Sequence, residues 1–269
     1  MTNLTMNDGL TIPALGYGTW RVTDEEACAL VTQAFTAGYR HIDTARLYYN
    51  EDGVGQAIAQ SGLDRSEIFI TTKLWHNHHQ DPEPALEASL KRLGLDWVDL
   101  YLIHWPVPAL GLYPQAWEGL IKLRERGLTR SIGVSNFLVE HLEAIAPSGV
   151  VPAINQVELH PTFANREVAD ANAERGILTQ CYRPLGNGDD LTNPTVREIA
   201  SRLEATAAQV VIAWHLAKGY VAIPKSVTPA RIKENLAAKD LSLTAADIAA
   251  IDALDCNNRQ AFHPAEFAG

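Results

Sequence analysis

Eight short apolar segments, most of them ending in a polar residue and separated by stretches of helical character, constrain most strongly how this chain can fold. They run Leu15 to Gly18, His41 to Asp43, Ile68 to Lys73, Val98 to His104, Ser131 to Ser135, Ile154 to Leu159, Leu178 to Tyr182 and Val221 to Lys225. Strands alternating with helices imply a parallel sheet covered by helices. Several helix starts are legible. Thr23-x-x-Glu26 is a capping box ahead of Ala27, Leu30, Val31, Ala34 and Phe35, which share one face. Thr206 caps the run Ala207 to Lys218, with Gly219 in the position just past the end. Thr228 followed by Pro229 pairs an N-cap with a proline in the first turn, and Thr244-x-x-Asp247 opens a last helix beyond the eighth unit. Ahead of all these, two short apolar runs flank Asn7-Asp8-Gly9, which predicts a small hairpin.

A parallel sheet of this kind either lies open or closes. An open dinucleotide-binding sheet carries GxGxxG after its first strand. Here Gly16-x-Gly18 is followed by Thr19, Trp20 and Arg21, with no third glycine in place. The expectation is an α/β fold, a (β/α)8 TIM barrel with an N-terminal β-hairpin and an extra C-terminal helix. Barrels of roughly 250 residues are single units, so residues 1–269 are read as one domain.

Composition narrows the function classes. A formal net charge of −10 opposes general binding to nucleic acid or anionic membranes, which needs a surplus of Lys and Arg. The three cysteines, Cys28, Cys181 and Cys256, are too scattered for a disulfide framework or a zinc knuckle. The opening residues lack a basic segment followed by an apolar run, and no stretch approaches the ~20 apolar residues of a membrane span. The sequence therefore reads as a cytoplasmic monomer with a small-molecule partner, and with neither nucleic acid nor membrane among its partners.

In a barrel, residues at the C-terminal ends of strands converge on one mouth. Asp43, Lys73, His104, Ser135, Asn136, Lys225 and Ser226 stand at such ends, and Gln156 and Glu158 fall inside the sixth segment. Asp43, Lys73 and His104, with Tyr48 just beyond the second strand, form a candidate proton-transfer set. A free tyrosine is a poor acid at neutral pH. A lysine ammonium ~4 Å away, at an effective dielectric of about 20, favours the phenolate by up to about 4 kcal/mol. On that reasoning Lys73 draws the Tyr48 pKa down, Asp43 orients Lys73, and a neutral His104 donates to a carbonyl oxygen. Lys225, Ser226 and Arg231 beside the helix start Thr228-Pro229 read as an anion site. His76, His78 and His79 form the one metal-like cluster, without a carboxylate at ligand spacing, so no metal is expected. Glu158 and His160 are read as structural.

At these residues the chain resembles the aldo-keto reductases over essentially its whole length. Gly38 to Ala45, continuing through Tyr48, Glu51, Val54 and Gly55, is similar to the family's first signature. Thr71 to Trp75 and Leu102 to Pro106 are similar to the stretches carrying its lysine and histidine. Ile132 to Phe137, and Ile223 to Ser226 with Arg231, Glu234 and Asn235, resemble its second and third signatures. Details such as His263 to Phe267 resemble the prokaryotic branch that includes 2,5-diketo-D-gluconate reductases.

The resemblance implies an enzyme that reduces aldehydes, ketones or sugar-derived dicarbonyls with NADPH, giving NADP+. Tyr48 would be the general acid, supported by Asp43, Lys73 and His104. The cofactor would meet Gly18, Thr19, Trp20 and Asp43, with Ser135, Asn136 and Gln156 at the carboxamide and Tyr182 stacked on the ring. Arg183, Leu185 and Gly186 would lie near the pyrophosphate. Lys225, Ser226, Val227 and Arg231 would take the 2′-phosphate, with Glu234 and Asn235 near the adenine. Trp20, Tyr49, Trp75, His104 and Trp105 would line the carbonyl pocket. The chain departs from the family pattern at Arg46 to Tyr49 and at Arg183, where serine or glycine is more usual. The competing reading is an NADPH-binding regulatory subunit with little turnover, which the four intact catalytic positions oppose.

Overall fold

A computed structural model describes residues 2–269. Strands β1 (Asn3–Thr5) and β2 (Thr11–Pro13) pair antiparallel as the N-terminal hairpin. Gly9 supplies the positive φ of 84° in its turn. Eight strands then follow in parallel: β3 (Tyr17–Gly18), β4 (His41–Asp43), β5 (Phe69–Leu74), β6 (Val98–Ile103), β7 (Thr129–Ser135), β8 (Ile154–Glu158), β9 (Leu178–Tyr182) and β10 (Val221–Ala222). Their spatial order is their sequence order. A parallel bridge from Leu15 to Ala222, with Gly16 N–H donating to Ala222 O at 2.9 Å, joins the first strand to the last and closes the barrel.

Helices α1 (Asp24–Ala37), α2 (Glu51–Gln60), α3 (Pro82–Leu93), α4 (Tyr113–Glu125), α5 (Val139–Ile145) and α6 (Arg166–Glu174) follow β3 to β8 in turn. Two helices, α7 (Pro194–Arg202) and α8 (Ala207–Ala217), follow β9, and α9 (Pro229–Ala237) follows β10. The extra C-terminal helix is α10 (Ala245–Asp252). The starts at Thr23, Thr206 and Thr244 form as expected, and Thr206 makes a capping box with Gln209 besides. Thr228 precedes α9 without a side-chain capping bond. α7 was not anticipated, although Asn193 caps it by accepting from Thr195 N–H and Pro194 occupies its first turn.

Strand parity sorts the layers. Ile42, Ile70, Tyr101, Ile103, Ile132 and Val134 pack outward against helical Leu30, Val31, Val54, Leu86, Leu90 and Leu120. Phe69, Leu100, Leu102, Ile154 and Val221 pack with Met6 and Ile12 of the hairpin segment, which fills one end of the barrel with apolar side chains. β10 stops at Ala222 rather than reaching Lys225, because Pro224 has no N–H to continue the ladder. The backbone still runs beside β3, where Gly18 N–H donates to Pro224 O at 3.2 Å. No helix of the described residues is long and apolar enough to cross a membrane.

Candidate active site

The parity that points Ile42 and Ile70 outward turns Asp43 and Lys73 inward. Register pairs Asp43 with Thr71, and Lys73 lies two residues further along β5 on the same side. Lys73 Nζ donates to Asp43 Oδ1 at 2.6 Å and to Thr44 O at 2.9 Å. Tyr48 arrives from the single 3₁₀ turn Arg46–Tyr48 that follows β4, and its Oη lies 3.3 Å from Lys73 Nζ. His104, one residue past β6, sets its ring 5.6 Å from the Tyr48 ring and nearly perpendicular to it. Thus four side chains spread between residues 43 and 104 meet at one end of the barrel. Just beyond His104, buried Val107 holds a φ of 43°. That conformation is costly for a β-branched residue and must be maintained by the packing around the loop.

Electrostatics overturns one expectation. Burial pushes the Tyr48 hydroxyl well above the usual phenol range, and the Asp43 carboxylate adds to the effect. Lys73 does not reverse this, because its ammonium is closer to Asp43 than to the phenol and is largely neutralised there. Tyr48 is therefore fully protonated, which is the form a proton donor needs. Burial, with help from Lys73 and His76, holds His104 well below the ordinary imidazole range, so its ring is neutral near pH 7. His104 Nδ1 is buried without a hydrogen-bond partner. Between Asp43 and Lys73, burial raises the acid and lowers the base while their attraction opposes both.

A belt of hydrogen bonds carries this cluster across to β7, β8 and β9. Gln156 Nε2 donates to Asp43 Oδ2 at 2.7 Å, so both carboxylate oxygens are engaged. Asn136, at a φ of 61°, donates through Nδ2 to His104 O and Ser135 Oγ, and its Oδ1 accepts from the Tyr182 hydroxyl at 2.8 Å. Ser135 Oγ donates to Gln156 O, and both Thr19 N–H and its hydroxyl donate to Asp43 O. Aromatic walls complete the mouth. The Trp20 ring lies 4.9 Å from Tyr48 and Trp75 lies 5.2 Å from His104. Trp105 stacks at 4.3 Å on Phe267, a residue that sequence reasoning did not place in the site. It ends the stretch His263 to Phe267, whose resemblance to the prokaryotic branch implied no contact with Trp105. Tyr49 stands on the rim, 68% exposed, beneath the Arg46 guanidinium.

The features expected to hold a dinucleotide lie along strand ends beside this cluster. A Cβ on Gly18 would come 2.9 Å from Ile223 O, so the β3–β10 contact requires glycine. Tyr17 hydroxyl donates to Ser226 O at 2.6 Å, fixing the segment before α9. Lys225 and Arg231 are exposed there and neither is paired with a carboxylate among the described residues. Val227 is exposed, Asn235 is buried, and Glu234 accepts from Thr206 Oγ1. Arg183 has a φ of 48° and a buried Nη1 without an acceptor, two residues before half-buried Leu185 and three before Gly186, whose φ is 55°. An unpaired buried guanidinium nitrogen and two free cations at a helix N-terminus fit the phosphates of NADPH. His76, His78 and His79 lie on or beside a short turn. Among the described residues no group of three or more His, Cys, Asp or Glu is placed to hold a metal.

A closed parallel barrel with a buried acid, ammonium and neutral imidazole and a half-buried phenol at one mouth defines a barrel enzyme equipped for proton transfer to a bound oxygen. Residues 14–256 match the Aldo/keto reductase family. An aldo-keto reductase of Mycolicibacterium vanbaalenii is 50% identical over 98% of this chain and 96% of its own. The methylglyoxal reductase DkgA of Escherichia coli is 45% identical over 100% of this chain and 98% of its own. A Gox0644 mutant solved in complex with NADPH superposes with a TM-score of 0.95 at 43% identity, covering 99% of this chain and 98% of that one. The chain belongs to the Aldo/keto reductase family.

Proposed function

We infer that this chain reduces aldehydes, ketones or sugar-derived dicarbonyls to alcohols with NADPH, and that Tyr48 is the general acid. When bound, NADPH supplies the hydride. The observation that carries the assignment is the position of the Tyr48 hydroxyl 3.3 Å from Lys73 Nζ, with its ring 5.6 Å from that of His104, whose Nδ1 has no hydrogen-bond partner. His104, neutral, donates to the carbonyl oxygen and orients it. Tyr48 gives that oxygen its proton as negative charge develops. The Lys73 ammonium, held by Asp43, stabilises the phenolate left behind, and Gln156 keeps Asp43 fixed. Ser135, Asn136, Gln156 and Tyr182 would hold the nicotinamide end. Arg183, Leu185 and Gly186 would hold the pyrophosphate, Gly18, Thr19 and Trp20 would flank the cofactor, and Lys225, Ser226, Val227 and Arg231 would hold the 2′-phosphate. Trp20, Trp75, Trp105 and Tyr49, joined by Phe267, form a pocket for a small carbonyl compound, of which methylglyoxal, in the printed name of the E. coli relative, is the first to try.

The same reading makes the protein a single-domain cytoplasmic monomer, and its net charge of −10 supports a small-molecule partner over polyanions. Light scattering should return the mass of one chain. The functional test is loss of NADPH absorbance with methylglyoxal. Tyr48→Phe should lower turnover by about 10³-fold or more while NADPH affinity stays within about threefold. Undiminished turnover in that variant would remove Tyr48 from the role of acid.

A further inference from the structure

A second buried charge cluster, at the end of β8, takes no part in the chemistry above. His160 has no exposed surface and lies between two carboxylates, its Nδ1 2.9 Å from Asp190 Oδ2 and its Nε2 3.3 Å from Glu158 Oε1. Asp190 Oδ1 accepts from Thr162 Oγ1 at 2.8 Å. Glu158 also accepts two backbone N–H groups from the C-terminal segment, Gln260 at 2.7 Å and Ala261 at 2.8 Å. The cluster thus anchors that segment to the barrel.

Gln260 then reaches the turn Gly186–Gly188. Its Nε2 donates to Gly186 O at 3.2 Å and to Asp189 Oδ2 at 3.3 Å, and its Oε1 accepts from Asn187 Nδ2 at 2.8 Å. A side chain on Gly186 would run into the Asp190 carboxylate, so the turn is pressed onto the same cluster. Seven residues beyond Gln260, the segment places Phe267 on Trp105 and 6.1 Å from Trp75. One residue therefore touches the turn proposed to approach the pyrophosphate and belongs to the segment that walls the carbonyl pocket.

We propose that Gln260 is a positioning residue. Seated on Glu158–His160–Asp190, it ties the Gly186–Gly188 turn to the C-terminal segment, so that the hold on the cofactor and the shape of the carbonyl pocket are set together. This rests on the NADPH-dependent reading of the site. The chemistry favours glutamine here because its amide offers donors and an acceptor at one end. The donors meet a carbonyl and a carboxylate, and the acceptor meets an amide. Glutamate would offer no donor and would set a second carboxylate beside Asp189.

The test compares the full-length parent with Gln260→Ala and Gln260→Glu. NADPH affinity is read by fluorescence titration, KM and kcat with methylglyoxal, and folding by thermal melting. Loss of these bonds should raise the NADPH Kd about tenfold in Gln260→Ala, and further in Gln260→Glu. KM for methylglyoxal should rise alongside, with kcat within about twofold and melting little changed. An active parent whose two variants keep Kd and KM within twofold overturns the proposal alone, as does a drop in kcat and melting temperature with Kd and KM unmoved. A parent that neither binds nor oxidises NADPH overturns the functional reading, and this inference with it.

Discussion

Two buried clusters of charge stand at strand ends in this barrel, and they differ in how completely they are satisfied. In Glu158–His160–Asp190 both ring nitrogens and all four carboxylate oxygens have partners. In Asp43–Lys73–Tyr48–His104 the carboxylate and ammonium are saturated, yet the His104 ring bonds nothing and the Tyr48 oxygen meets only Lys73. Buried polar groups are normally paired. The incomplete cluster keeps its free hydrogen-bonding capacity beside the Trp20 and Trp75 rings, and the complete one keeps none. Reactivity is assigned to the first and mechanical connection to the second on that difference.

Removing the cation from each cluster tests the distinction. Lys73→Met should reduce kcat/KM for methylglyoxal by about a hundredfold or more. It should also cost about 3–5 kcal/mol in urea denaturation, because Asp43 is left buried without its ion. At about pH 6, where the raised imidazole is charged, His160→Gln should cost a similar amount of stability, since it strips that charge from between two carboxylates. Its kcat should nonetheless stay within about threefold of the parent in the folded fraction. A collapse of kcat in His160→Gln to the level of Lys73→Met would erase the contrast.

A smaller effect concerns pH. Hydrogen bonds and attraction from Asp190 and Glu158 outweigh burial and raise the His160 pKa. A group raised on folding contributes stability that is fully present below its unfolded value of about 6.5 and is lost as pH rises through the folded value. Glu158 is lowered by His160 and by the N–H groups of Gln260 and Ala261 against the effect of burial, so its contribution is lost as pH falls through that lowered value. The urea midpoint of the parent should therefore decline above about pH 6.5, and that part of the decline should vanish in His160→Gln. The smallest expected change is at the rim. Lys225→Ala should raise the Kd for NADPH about tenfold and leave that for NADH unchanged, as binding titrations would show.

Much of this arrangement was legible in the residues, for identifiable reasons. The apolar runs were short and sharply bounded, so β4 and β9 have the bounds read from sequence, β6 and β8 end one residue earlier, and β5 is shifted by one residue at both ends. Thr23-x-x-Glu26 and Thr244-x-x-Asp247 are local devices and formed as written. Asn193-Pro194 is an equally local start signal for α7. The meeting of Asp43, Lys73 and His104 followed from polar residues ending apolar strands. The protonation of Tyr48 did not, because it depends on how deeply the hydroxyl is buried and on which oxygen Lys73 approaches more closely. The contacts of Gln260 and Phe267 were also hidden, although His263 to Phe267 stood out as a branch-like stretch. Their segment has no periodicity, and their partners lie about 70 to 160 residues away in sequence.

The structure of a ternary complex with NADP+ and an unreactive carbonyl analogue would test the site most directly. The carbonyl oxygen should lie within about 3 Å of both the Tyr48 hydroxyl and a His104 ring nitrogen, with Lys73 still bridging Asp43 and Tyr48. An oxygen bound out of reach of Tyr48, or a Lys73 turned away from that hydroxyl in the complex, would contradict it.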